Sequence, residues 1–185
     1  FQAEDGIRDS VASRGLGDVY KRQGEDIDRT DEWERLRREH LRERDDRGTS
    51  SAQGVHHLAL LSSDVERTIA FYQGILEFPM TELFENRDYQ GSTHFFFDVG
   101  NGNALAFFDF PGLNLGPYAE LLGSMHHLAI SVTPEKQAYL RSKLRAADDE
   151  VTFEHGNSIY FSGPDGERLE LLAESLGEMN GKPVL

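Results

Sequence analysis

The sequence predicts an α+β fold made of two strand-helix-three-strand (βαβββ) modules. Three observations point there. Val55-His56-His57-Leu58-Ala59-Leu60 returns seventy residues later as Met125-His126-His127-Leu128-Ala129-Ile130, and a repeated unit constrains architecture before any local detail does. Each copy of that apolar run leads into a helix start, Ser63-Asp64-Val65-Glu66 in the first and Thr133-Pro134-Glu135 in the second. Alternating apolar segments separated by Gly- and Asn-rich turns then follow in both copies.

The first module is expected to span residues 54–110. A strand at 54–61 leads to a capping box, with Ser63 at the cap and Glu66 three residues on. Val65, Ile69 and Tyr72 recur at helical spacing, and Gly74 suits the helix end. Strands follow at 81–85, at 92–99 around Phe95 and Phe97, and at 104–110, the last two joined by the turn Gly100-Asn101-Gly102-Asn103. A Gly- and Pro-punctuated connector covers 111–123. The second module, 124–174, repeats the order: a strand at 125–132, a helix from Pro134 to about Ala147, then strands at 151–155, 158–162 and 168–173, with Gly163-Pro164-Asp165-Gly166 as the turn between the last two. The domain is expected over 53–174, with a loose tail at 175–185.

The N-terminal quarter reads differently. Residues 1–9 and 13–23 resemble the translation of sequencing-adapter DNA, with Ser10, Val11 and Ala12 where an index barcode would be read; residues 1–23 are therefore set aside from fold reasoning. Residues 24–52 are a charged extension in which Trp33, Leu36 and Leu41 form only a narrow stripe, so a helix near 31–44 is expected to be solvated.

Composition removes several function classes. There is no cysteine, which leaves His, Asp and Glu as metal ligands, excludes disulfides and thiolate chemistry, and points to the cytoplasm. No apolar run reaches the length of a membrane span. The formal charge is -14, and residues 52–185 hold 19 acids against 8 bases, a net of -11; nucleic acid is therefore not the expected partner, since phosphate contacts need clustered Lys and Arg. The acidic surface reads as solvation.

Strand alternation places His57 with Val55, Ala59 and Leu61, and opposite His56. His127 and His126 are divided in the same way. In the last strand, Leu169, Leu171 and Ala173 form an apolar face that belongs under the helices, which leaves Arg168 and Glu170 on the other. Strand histidines are ordinarily satisfied core or surface residues; the repeat and the carboxylate favour a ligand role for His57 and His127. His56 and His126 read as solvent-facing or supporting residues, and His94 as surface. Phe95, Phe96, Phe97, Phe107 and Phe108 read mainly as core, with one side able to wall an apolar pocket.

Taken together, His57-Leu-Ala-Leu with Asp64-Val and Phe71-Tyr72 downstream, His127-Leu-Ala-Ile, and Ser158-Ile-Tyr-Phe-Ser-Gly-Pro-Asp-Gly-Glu-Arg-Leu-Glu170-Leu resemble the vicinal oxygen chelate superfamily. This is the glyoxalase, bleomycin-resistance and extradiol-dioxygenase group. The resemblance implies that the two modules curl into a mixed-sheet cup around a divalent metal, with His57, His127 and Glu170 as ligands. Glyoxalase-type members carry a further carboxylate where this chain has Ala106, which tilts the expectation towards the dioxygenase-like branch. That branch implies Fe(II), with Mn(II) or Zn(II) as alternatives. Tyr160, ten residues before Glu170, and His155 match its substrate-binding tyrosine and its His-Gly, although the segment between them is shorter here. The histidine that assists oxygen there aligns with Asn103, an amide that cannot shuttle a proton.

The implied function is a metal-dependent enzyme acting on a small substrate chelated through vicinal oxygens. The alternatives are a glyoxalase-like lyase, isomerase or epoxide-opening transferase, and a metal-free ligand-binding protein of the bleomycin-resistance kind. A homodimer is expected, the modules pairing either within one chain or by exchange between two.

Overall fold

The structure, a computed structural model, describes residues 28–147 and 153–185. The adapter-like segment 1–23 and the first residues of the expected strand at 151–155 lie outside the described residues. The chain divides into two units, Phe1–Thr49 with Val184–Leu185, and Ser50–Pro183. In the first, helix α1 (Thr30–His40) buries none of its residues. It is shorter than the charge pattern suggested, because Leu41 turns extended. The ion pairs Arg29–Glu32 and Arg35–Glu39 lie along its solvated surface and act at spacings that stabilise an exposed helix modestly.

The second unit holds both modules. In the first, β1 (His57–Leu61) is followed by α2 (Val65–Ile69), a π-helical turn (Ala70–Ile75), β2 (Met80–Glu85), β3 (Thr93–Asp98) and β4 (Ala104–Phe108). The sheet order is β1-β4-β3-β2, with β1 parallel to β4 and the other pairs antiparallel. The second module repeats it with β5 (Leu128–Ser131), α3 (Pro134–Ala146), β6 (Phe153–His155), β7 (Ser158–Ser162) and β8 (Arg168–Leu172), in the order β5-β8-β7-β6. A two-residue hairpin, β9 (Glu178–Met179) and β10 (Lys182–Pro183), gives the expected tail some order.

Three local expectations are corrected. The cap of α2 is Asp64, whose carboxylate accepts from Arg67 N at 2.9 Å. Ser63 is drawn away because its N–H and hydroxyl both donate to Asp165 of the second module, at 3.0 and 2.5 Å. The helix does not stop at Gly74; it widens into the π turn, where Leu76 N donates to Phe71 O, five residues back, at 3.0 Å. The two His-His strands also start later than the apolar pattern, at His57 and Leu128. Helix α3 starts where expected, with Pro134 in the first turn, and Thr133 is its cap.

One core serves both modules. The inner faces of the two sheets supply Phe95, Phe97, Leu105 and Phe107 from one side and Ile130, Ile159, Phe161, Leu169 and Leu171 from the other, with Phe71, Tyr72, Leu140 and Leu144 of the helical segments in the same cluster. Tyr72 stacks on Phe97 at 5.5 Å, and its neighbour Phe71 meets Phe161 at 6.3 Å. The helical layer is held together by Glu77, which accepts from Lys136 Nζ at 2.5 Å, Tyr139 OH at 2.7 Å and Lys143 Nζ at 3.1 Å. These donors lower its carboxyl to about 2. A carboxyl lowered on folding adds stability that is complete above its unfolded value and lost as pH falls through the native one. Glu77→Gln is therefore expected to lower the melting temperature at neutral pH and to flatten its decline between pH 4.5 and 2, a modest change because the group is exposed; thermal melts across that range check it.

Candidate metal centre

Because both inner faces pack on the same core, strand alternation turns the other two faces outward, away from it. His57 starts β1 on the outer face of the first sheet, opposite Ala104 in the register, while Ala59 is opposite Ala106. In the second sheet, Ala129 is opposite Glu170, and Tyr160 is opposite Glu170 on the other side. His127 directly precedes β5, and its Nε2 lies 3.0 Å from Glu170 Oε2. Glu170 is only 5% exposed. A carboxylate this buried needs donors or a cation beside it, and the imidazole lies within ion-pair distance. Tyr160 meets His127 edge to face at 5.6 Å.

The structure thus brings His127, Glu170 and Tyr160 together. His57 is elsewhere: its ring packs edge to face on Phe96 at 5.9 Å. Among the described residues, no group of three or more His, Asp or Glu side chains is close enough to hold a metal ion. His155 is exposed on β6, opposite Ser158, on the strand beyond β7 from Glu170. Ala106 is fully buried. Asn103 Nδ2 donates to Gly100 O at 3.3 Å, within its own turn.

Both His-His pairs make the same contact. His56 Nδ1 lies 2.8 Å from His57 Nδ1, and His126 Nδ1 lies 2.7 Å from His127 Nδ1. Such a contact orients an imidazole and leaves its Nε2 to meet other partners. In the second module the chain of contacts extends further. Arg168 Nη1 is 3.1 Å from His126 Nε2, and Arg168 Nη2 pairs with Glu120 of the connector. Tyr118 OH donates to Met125 O at 2.6 Å and pins the connector beside this group.

His94, expected at the surface, is instead half-buried in an aromatic wall. Its ring stacks on Phe108 at 3.7 Å and lies 4.3 Å from Phe96 and 5.2 Å from Phe84. Burial, with a smaller contribution from nearby His57, lowers its pKa. The five phenylalanines therefore divide by parity: Phe95, Phe97 and Phe107 are core, whereas Phe96 and Phe108 face outward with His94 and His57. Alternation alone could have found this, since His94 and Phe96 share a face. A separate cleft of about 890 Å³ is lined by Ser63, Asp109, Phe110, Tyr118, Asp165 and Glu167 among others, and by none of His57, His127 and Glu170.

Comparison with known proteins bears on the family. Residues 54–171 match the sequence model of the Glyoxalase/Bleomycin resistance protein/Dioxygenase superfamily. The chain is 29% identical over 140 residues to the Bacillus subtilis (strain 168) protein named "Putative ring-cleaving dioxygenase MhqA", a match covering 71% of this chain and 43% of that protein. The chain thus spans less than half the length of this relative. Among solved structures, a dioxygenase-named protein from Bacillus subtilis subsp. subtilis str. 168 superposes with a TM-score of 0.59 at 24% identity, over 71% of this chain and 44% of that one. A point mutant of the fosfomycin resistance protein FosX from Listeria monocytogenes, complexed with Mn(II) and 1S,2S-dihydroxypropylphosphonic acid, superposes at 0.54 with 22% identity, over 68% of this chain and 95% of that one. At these identities the superpositions establish the fold.

Proposed function

The chain belongs to the glyoxalase/bleomycin resistance protein/dioxygenase superfamily, and from that premise we propose that it is a divalent-metal-dependent enzyme acting on a small substrate chelated through two neighbouring oxygens, with ring-cleaving dioxygenase chemistry the best supported. The observation that carries this reading is the 3.0 Å approach of His127 Nε2 to Glu170 Oε2 on an outward face. His57, His127 and Glu170 are the proposed ligands. Two imidazoles and one carboxylate, with no thiolate, suit Fe(II) and would also accept Mn(II) or Zn(II). The metal would supply open positions where the two substrate oxygens and a further ligand bind. Tyr160 donates a hydrogen bond to the substrate, His155 acts as acid or base, and the wall of Phe84, Phe96 and Phe108 suits a flat apolar ring.

His57 faces away from the core on one sheet and the His127–Glu170 pair faces away on the other. The proposed site is therefore completed between two copies of the chain in a homodimer, each contributing His57 to the other's His127 and Glu170. A second reading, in which the metal serves only as a Lewis acid in a lyase, isomerase or transferase, is favoured by Asn103: its amide is engaged in its own turn and cannot shuttle a proton.

Metal analysis of the purified chain is expected to find about one divalent ion per site, with ring cleavage and oxygen uptake when the iron-loaded protein meets catechols. Absence of stoichiometric metal, together with a His57→Ala variant of unchanged function, would remove both enzyme readings and leave a binding protein. A flat oxygen trace across a catechol panel, with metal bound, would favour the Lewis-acid reading.

A further inference from the structure

The two hydrogen bonds Arg168–His126–His127, flanked by the ion-pair contacts of Glu120 and Glu170, have a direction, and arginine sets it. A guanidinium can only donate hydrogen bonds. His126 Nε2, 3.1 Å from Arg168 Nη1, must therefore accept, so the hydrogen of neutral His126 sits on Nδ1. That Nδ1–H donates to His127 Nδ1 across 2.7 Å, which places the hydrogen of neutral His127 on Nε2. That Nε2 lies 3.0 Å from Glu170 Oε2, within ion-pair distance. Glu120 balances the charge of Arg168 at the far end.

This arrangement conflicts with ligation. A neutral imidazole that binds a metal through Nε2 keeps its hydrogen on Nδ1, whereas Arg168 forces the reverse. For His127 to present a bare Nε2, the hydrogen of His126 Nδ1 must pass to His127 Nδ1, and the hydrogen of His127 Nε2 must be replaced by one on His126 Nε2 through solvent. No net proton is gained or lost. His126 Nε2–H would then face Arg168 Nη1–H, two donors in opposition, and Arg168 must move away.

We infer that Arg168, braced by Glu120, is a positioning residue that holds His127 in the tautomer unable to bind metal, so that loading of the site requires Arg168 to release His126. The inference rests on the ligand role proposed above for His127 and Glu170. The two modules differ at the residues that matter. Arg168 and Glu170, the first and third residues of β8, correspond to Ala104 and Ala106 in β4. The arginine therefore accompanies the carboxylate, in the only module that carries one at these positions. The brace comes from the connector, held by Tyr118 OH on Met125 O and His126 O. A connector segment thus reports to a proposed ligand histidine through one ion pair and two hydrogen bonds.

The test uses the full chain, stripped of metal and labelled with nitrogen-15 in histidine, with Mn(II) as probe. Long-range proton-nitrogen correlation is expected to show His127 protonated on Nε2 and His126 on Nδ1. In Arg168→Met, which keeps the apolar stem and removes every donor, His127 should populate the Nδ1-protonated form. The Mn(II) dissociation constant, read from the free-ion paramagnetic resonance signal, should tighten about tenfold, the lower end of what partners of a ligand histidine control. A merely structural arginine would loosen binding instead. Loss of positive charge also favours a cation, so the nitrogen-15 result carries the decision. His127 protonated on Nδ1 in the unaltered metal-free chain, or tautomers unchanged in Arg168→Met, would overturn the inference. Glu120→Gln, which only loosens the brace, should shift the tautomers in the same direction and serves if Arg168→Met fails to fold. A parent chain that binds no Mn(II) would defeat the metal reading of the site, and the tautomer measurement would still decide the relay.

Discussion

Glu170→Gln is expected to abolish the thermal stabilisation that divalent metal gives the parent chain while leaving the metal-free melting temperature nearly unchanged. The amide matches the carboxylate in size and keeps an oxygen that can face His127 Nε2, so the buried position on β8 stays filled and the fold is retained. What is lost is the negative charge, the one anionic donor in the proposed ligand set. In the parent, a metal concentration one hundred times Kd adds about 2.7 kcal/mol to the native state. The variant should show almost none of it, with affinity down more than about a hundredfold, beyond what partners of a ligand histidine control. His127→Ala should lose the same stabilisation and also melt earlier without metal, since it leaves a carboxylate with 7% side-chain exposure without the imidazole beside it, at a cost of about 1–3 kcal/mol. Paired melts with and without Mn(II) check both. Equal metal-induced shifts in the parent and Glu170→Gln would remove Glu170 from the ligand set.

The second large effect lies in the core. Gly163→Ala in the turn between β7 and β8 is expected to destabilise the chain by about 3 kcal/mol, from strain plus one stranded polar group. A Cβ there would fall 2.1 Å from Glu167 Oε1 and 2.2 Å from its Cδ. Glu167 cannot swing aside cheaply. Its Oε1 accepts from Tyr72 OH at 2.7 Å and its Oε2 from Asp165 N at 2.9 Å. Tyr72 is 0% exposed, so displacing the carboxyl leaves a buried hydroxyl without an acceptor. The loss is large against a domain stability of roughly 5–15 kcal/mol. In a Glu167→Ala background the clash is gone and the same substitution should cost little; a double-mutant cycle by urea denaturation measures that coupling. Burial raises the Glu167 carboxyl, with the Tyr72 hydrogen bond opposing. A raised native value means that this group's contribution is complete below the unfolded pKa and lost as pH rises through the native one.

Much of the architecture was legible because it depends on periodicity. The repeat around His57 and His127, the helix start at Thr133-Pro134-Glu135, the turn at Gly163 and the strand at 158–162 are local patterns, and the structure follows them. The misread details depend on competition from outside the segment. Ser63 should cap α2 by its spacing from Glu66, but Asp165, about a hundred residues on, takes its hydrogen bonds and Asp64 replaces it. His94 reads as surface in isolation, yet Phe84 and Phe108 of neighbouring strands enclose it.

The same division holds for the site. The sequence by itself determined that His57 and His127 occupy equivalent places in the repeat, that Glu170 lies on the face opposite Leu169 and Leu171, and that Ala106 breaks the symmetry, because strand parity depends only on residue order. Only the tertiary structure decided that both inner faces share one core, which turns His57 and the His127–Glu170 pair outward on different sheets. It alone brought Arg168 onto His126 by a hydrogen bond and onto Glu120 by an ion pair, because the connector and β8 meet only when the chain folds back on itself.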